Sequence, residues 1–199
     1  MSYSDFKLTQ LIKDFGLTLN ETSNRFADIP IVEPSSLLTD TLRETLDLAI
    51  AINTEKARSE MIITPILLEI RRHFHYQISL FSGIDFTVDP ERGLSGICDF
   101  ILSKAPEQLF IRAPVVAIVE AKNENLKSGL SQCIAAMIAA QIFNQQEQND
   151  ISSIYGVITI GTIWRFLKLT QTTLDIDLSE YYPKTDLPKI LGILTHALQ

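Results

Sequence analysis

The sequence predicts a mixed α/β (α+β) domain, a central mixed β-sheet flanked by helices, and three observations lead there. Apolar residues recur at helical spacing over residues 37–70. Two nearly continuous apolar runs, GICDFILS at 96–103 and PVVAIVEAK at 114–122, read as paired central strands. A long alanine-rich helix pattern then precedes three more strand-like segments. The resulting order is helix-helix, three strands, helix, three strands, helix, which buries both faces of a sheet.

Each element has its own signal. Residues 1–36 form an N-terminal extension: the helix-like LTQLIKDFGL, then ETSNRFADIPIVEPSS as turn and extended chain, with Pro30 and Pro34 interrupting any helix. Leu37, Leu38, Leu42, Leu46, Ala49 and Ile50 mark a first core helix. A second spans about 54–73 with Ile62, Ile63, Ile66, Leu67 and Ile70 on one face and Pro65 predicting a kink or break. Alternation at Tyr76, Ile78 and Leu80 predicts a strand, and SGIDFTVDPERG turn and edge material. In the helix at 126–147, Ala135, Ala136, Ala139 and Ala140 form a slim side for close packing. SIYGVITIG, TIWRFLKLT and TLDIDLS follow as strands, the first two joined by a Gly161-Thr162 turn, and a last helix covers about 187–197.

The 199 residues fit one domain, 46% of them hydrophobic, which is ample for a core and excludes wholesale disorder. The net charge of −7 excludes a protein that coats nucleic acid non-specifically. That charge is uneven: the first 50 residues carry −4 and the other 149 only −3. Cys98 and Cys133 are too few for a disulfide scaffold, no signal peptide is visible, and no apolar stretch reaches the ~18 residues of a membrane span. The expectation is a soluble, cytoplasmic protein with no membrane partner.

One constellation carries chemistry. Asp99 lies within a strand, and 20 residues separate it from Glu120-Ala121-Lys122, which ends the next one. Residues i and i+2 of a strand share a face, so Glu120 and Lys122 point the same way, and Asp99 comes beside Glu120 if the strands pair. Two carboxylates with the Ala121 carbonyl between them make a hard-oxygen site for Mg²⁺ or Mn²⁺. Such a metal activates water and screens phosphodiester charge, and Lys122 can orient the water or stabilise the phosphorane. The competing reading takes Asp99 and Glu120 as solvated strand-end charges with Lys122 as their ion-pair partner. A second acid-x-Lys triplet, Asp5-Phe6-Lys7, lacks the upstream strand-borne acid.

With Asp99 in GICDF, Glu120 and Lys122 in VVAIVEAKNE and a helix following, the chain resembles the PD-(D/E)XK, or restriction-endonuclease-like, nuclease superfamily over about residues 54–170. It is most similar to the nuclease domains of type I restriction-enzyme motor subunits and related orphan bacterial proteins. Those domains also tend to carry an acid on the first core helix, a glutamine on the helix after the Glu-x-Lys strand, and a G-x-x-W-x-F hairpin. Glu60, Gln132 and Gly161-Thr162-Ile163-Trp164-Arg165-Phe166 stand at these places. Cys98 stands where the name-giving proline would be, which leaves activity open. The resemblance implies a Mg²⁺- or Mn²⁺-dependent nuclease hydrolysing DNA phosphodiester bonds. Asp99, Glu120 and Ala121 would be the metal ligands, Lys122 the activator, and Glu60 and Gln132 supporting residues. It also implies a homodimer or a restriction or repair partner subunit.

Weaker signals have plain alternatives. Glu60 is equally an exposed first-turn acid, and Gln132 equally caps an apolar stripe at its solvent edge. Lys56, Arg58, Arg71, Arg72, Lys127, Arg165 and Lys168 either line a phosphate path or are solvated surface. Trp164 and Phe166 read as hairpin core rather than stacking platforms. With three histidines in all, His73 and His75 do not make a zinc site. The alternative function is a non-catalytic module that binds nucleic acid or protein and retains the nuclease fold.

Overall fold

The computed structural model describes residues 2–122, 126–149 and 151–199. Asn123 and Glu124, which close the VVAIVEAKNE segment, lie outside the described residues. Seven strands form one mixed sheet: β1 (Thr18–Thr22), β2 (Ser79–Asp85), β3 (Ile97–Ser103), β4 (Val115–Ala121), β5 (Ile154–Thr159), β6 (Trp164–Thr170) and β7 (Thr173–Asp177). Their order is β1-β7-β6-β5-β4-β3-β2. The β1–β7 and β4–β5 pairs are parallel, and the other neighbours antiparallel.

Helices cover both faces. On one lie α2 (Ser36–Ile52), the helical run α3 (Glu55–Arg58) and α4 (Thr64–His73), and α6 (Pro183–Leu198). They bury Leu42, Leu46, Ile66, Ile70, Ile190 and Leu194 against Val119, Val157, Trp164 and Phe166 of the sheet. On the other, α1 (Leu8–Phe15) and α5 (Leu126–Gln146) pack with Tyr3 and Phe6 on Ile101, Ile118, Ile158 and Leu167. Core positions alternate along the central strands because both faces are dry.

Local chemistry explains the helix ends. The Ser35 hydroxyl accepts from the Leu38 N–H at 3.2 Å, and α2 stops at Asn53 in the left-handed region with φ of 56°. Buried Glu69 accepts from the Ser35 N–H at 2.7 Å and pairs with Arg72 at 2.8 Å, tying α2 to α4. The break predicted at Pro65 takes the form of a π turn over Ser59–Ile63, in which the Thr64 N–H donates to the Ser59 carbonyl. The wider turn accommodates the donor that proline lacks.

Three expectations shift. Thr18–Thr22, whose last two residues open the ETSNRFADIPIVEPSS segment read as turn and extended chain, is edge strand β1, in parallel register with β7 from Thr18–Thr173 to Thr22–Asp177. Residues 1–36 are therefore not an appendage: Tyr3 is fully buried and donates its hydroxyl to the Phe86 carbonyl. The strand predicted from Tyr76 starts at Ser79 and runs on through Ser82-Gly83-Ile84, the start of the segment read as turn and edge material, as an edge strand of the sheet.

Helix α5 alone among the described helices is long and apolar enough to cross a membrane, and 56% of its apolar window is buried within the fold. Its packing on β4 and β5 is close: a Cβ on Gly156 would lie 2.3 Å from the Met137 sulfur. At the other end Asn144 caps the start of β4. Its amide accepts from the Val115 N–H at 2.8 Å and donates to the Val115 carbonyl at 2.6 Å.

Candidate active site

The register of β3 and β4 decides where the acids meet. The β3–β4 ladder runs from Ser103–Val115 to Phe100–Val119, so Asp99 and Glu120 follow one step beyond its last pair. Ile118 belongs to the layer under α5 and Val119 to the opposite one, so alternation sends Glu120 and Lys122 toward α5. The backbone is held in place: the Lys122 N–H donates to the Thr159 carbonyl at 2.8 Å, and the Ala121 N–H donates to Asp99 Oδ2 at 2.8 Å.

Glu120 is 0% exposed, and among the described residues neither of its carboxylate oxygens has a hydrogen-bond partner. Lys122 Nζ stands 3.6 Å from Glu120 Oε2, its side chain 17% exposed, and donates to Gln132 Oε1 at 3.1 Å. Burial, then the neighbouring Asp99 charge, pushes the Glu120 carboxyl up to about 9, against the pull of Lys122. The Cys98 and Cys133 thiols nearby are held well above the ordinary thiol range by burial first and then by Glu120. A buried acid with no hydrogen bond is costly to ionise unless a cation arrives.

Asp99, Glu120, Lys122 and Gln132 therefore converge, and Ala121 is part of the same corner. Alternation along β4 puts the Ala121 N–H and carbonyl on the β3 side, toward Asp99. Glu60 does not join them. It sits exposed on the π turn, 3.9 Å from Lys56 one turn earlier. Among the described residues no three His, Cys, Asp or Glu side chains come close enough to share one ion. Two carboxylates and the Ala121 carbonyl are the oxygen groups at this corner, and a set of that kind could hold Mg²⁺, an ion that keeps several waters and takes one or two protein carboxylates.

The basic residues divide between the two ends of the sheet. Ser79 of β2 pairs with Ser103, so Arg71, Arg72, His73 and His75, just before that strand, lie at the end away from Asp99. Lys168 is there too, over the Tyr155 ring. Arg58, Lys127 and Arg165 are at the acids' end: Arg58 donates to the Ile160 carbonyl at 3.4 Å, Lys127 opens α5, and Arg165 pairs with Ile158, itself the partner of Glu120. Trp164 is buried core, its indole N–H donating to the Gly161 carbonyl at 2.9 Å.

One contributor escaped sequence reasoning. A Cβ on Gly129 would lie 3.0 Å from Cγ and Cε of Lys122, so this glycine lets α5 pass directly over the lysine stem. The signal was a glycine inside an otherwise strong helix pattern, which is unfavourable without a packing reason. No protein-family model and no curated protein matches the chain.

Proposed function

We propose that the protein is a metal-dependent nuclease of the PD-(D/E)XK kind that hydrolyses DNA phosphodiester bonds in the cytoplasm. The observation that carries this reading is the convergence of four side chains: Asp99 near Glu120 at the end of the β3–β4 ladder, with Lys122 between Glu120 and Gln132. Asp99 and Glu120, with the Ala121 carbonyl, would hold Mg²⁺ or Mn²⁺. When bound, the metal lowers the pKa of water and screens the charge of the phosphodiester.

The chain's own residues supply the rest. Glu120 must release its proton to bind a cation, and burial raises its demand for one. Lys122 holds its ammonium beside the carboxylates, where it donates to the attacking water or to a phosphate oxygen as charge develops there. Gln132 takes one of the three ammonium N–H bonds and fixes the direction of the others. Gly129 keeps the helix close enough for that contact.

The separation of Glu60 from the acid pair favours a second reading, a non-catalytic module that binds DNA through the same surface. Cleavage of DNA in Mg²⁺ or Mn²⁺ by the wild type, and its loss in Lys122→Ala, supports the nuclease. DNA binding without cleavage, unchanged by Asp99→Ala or by a chelator, supports the module.

A further inference from the structure

We propose that Gly83 is a positioning residue for the metal site: its left-handed backbone turns strands β2 and β3 over at Asp99 and so aims the Asp99 carboxylate at the end of β4. This inference rests on the metal-binding reading of Asp99 and Glu120 above and adds to it a residue with no side chain. It starts from an interruption in the alternation of both strands. Along β2, Leu80 belongs to the layer under α2, α4 and α6, and Phe81 to the layer under α5. A period of two would return Ile84 to the first layer, yet it packs in the second. Strand β3 does the same. Leu102 and Phe100 lie in the first layer and Ile101 in the second, and Cys98 is again in the second where the first is due.

The register does not slip at this point. Ser82 pairs with Phe100 and Ile84 with Cys98, so neither strand carries the extra residue of a bulge. Both strands instead turn over together at the one step between those pairs, which holds Gly83 and Asp99. Within β2 and β3 only Gly83 has a positive φ, at 61°, a conformation that is unfavourable for an L side chain and open to glycine. Packing does not explain the glycine: a Cβ on Gly83 would meet no atom within 4 Å, and the residue is exposed. The backbone conformation is what the position requires.

That conformation decides where Asp99 points. The β3–β4 ladder stops at Phe100 and Val119, while β4 runs two residues further to Ala121. In a continued ladder the Ala121 N–H would bond to a carbonyl of β3. It donates instead to Asp99 Oδ2 at 2.8 Å. Where two faces exchange, a side chain leaves along the sheet rather than above or below it, and a carboxylate takes the place of the backbone acceptor. The same lateral placement sets the Asp99 charge close enough to act on the Glu120 carboxyl.

Gly83→Val and Gly83→Asn separate the backbone from the side chain, because a β-branched residue resists a positive φ and asparagine tolerates one. The full-length protein, ¹⁵N-labelled and free of metal, is read by amide hydrogen exchange at Ala121, with Val119 of the intact ladder as the internal control for global stability. Mn²⁺ affinity is measured on the same samples by calorimetry. In Gly83→Val, exchange at Ala121 should rise about tenfold relative to Val119 and Mn²⁺ should bind about tenfold more weakly, as when the support of a metal ligand is lost. Gly83→Asn should stay within about twofold of the wild type in both. Where the wild type binds Mn²⁺, a folded Gly83→Val with either reading unchanged overturns the inference, and so does a Gly83→Asn as impaired as the valine variant. If Gly83→Val fails to fold by circular dichroism, Gly83→Ala, which also resists a positive φ, takes its place under the same criteria. Faster Ala121 exchange in a protein whose wild type binds no Mn²⁺ upholds Gly83 as the residue that places Asp99 and refutes the metal site. Mn²⁺ binding indifferent to every Gly83 variant does the reverse.

Discussion

Replacing Glu120 by glutamine removes a titratable group and almost no volume, and its effect on stability should depend on pH in a defined direction. In the metal-free protein the carboxyl is fully buried without a hydrogen bond, and burial together with Asp99 raises it from 4.5 to about 9. Between those values the folded chain holds a proton that the unfolded chain has released. The proton's contribution to stability is complete below 4.5 and is lost as the pH climbs toward 9, at about 1.4 kcal/mol per pH unit. From pH 6 to pH 8 the wild type should therefore lose about 3 kcal/mol relative to Glu120→Gln, whose amide does not titrate. Urea unfolding in EDTA at several pH values, followed by the fluorescence of Trp164, measures the difference. This tryptophan is the chain's only one and is fully buried. The wild type should regain stability when Mg²⁺ is added at pH 8, and the variant should not. Two stability curves that stay parallel across this range, within about 0.5 kcal/mol, would refute the buried, metal-demanding carboxyl.

Three further outcomes follow from the packing around the site. Gln132→Leu should lower cleavage about tenfold to a hundredfold through misplacement of Lys122, with KM little changed and partial recovery in Gln132→Glu, as steady-state kinetics would read. Asn144→Ala strands the N–H and carbonyl of Val115 and should cost about 2–3 kcal/mol in urea unfolding. Gly192→Ala sets a Cβ 2.1 Å from the Pro30 carbonyl oxygen, a backbone atom that cannot turn aside, and should cost about 3 kcal/mol by the same measurement.

The acid pair was legible in the sequence because it depends on short-range rules. A strand's period of two aligns Glu120 with Lys122, and two adjacent apolar strands of similar length bring Asp99 alongside. Gln132 comes into view only through the family resemblance, since its helical stripe alone allows an amide at the solvent edge equally well. Strand β1 was not legible: TLNET has no apolar alternation, and its partner β7 lies about 150 residues further along the chain. From the sequence Glu60 reads equally as an inward acid and as an exposed first-turn acid, because its neighbours in the buried helical stripe share a run with it but not a direction. Its side chain leaves toward Lys56, as an ordinary i,i+4 surface pair does. Arg165 stood in the sequence as one of seven scattered bases, and only the register of three successive strands puts it in line with Glu120.

The most direct measurement of the central claim is cleavage of DNA in Mg²⁺ by the wild type and Lys122→Ala side by side, with a chelator control. The account predicts cutting by the wild type that EDTA abolishes, and a loss of about a hundredfold or more in the folded variant. A purified wild type that cuts nothing in Mg²⁺ or Mn²⁺, or a Lys122→Ala protein that cuts equally well, would contradict it.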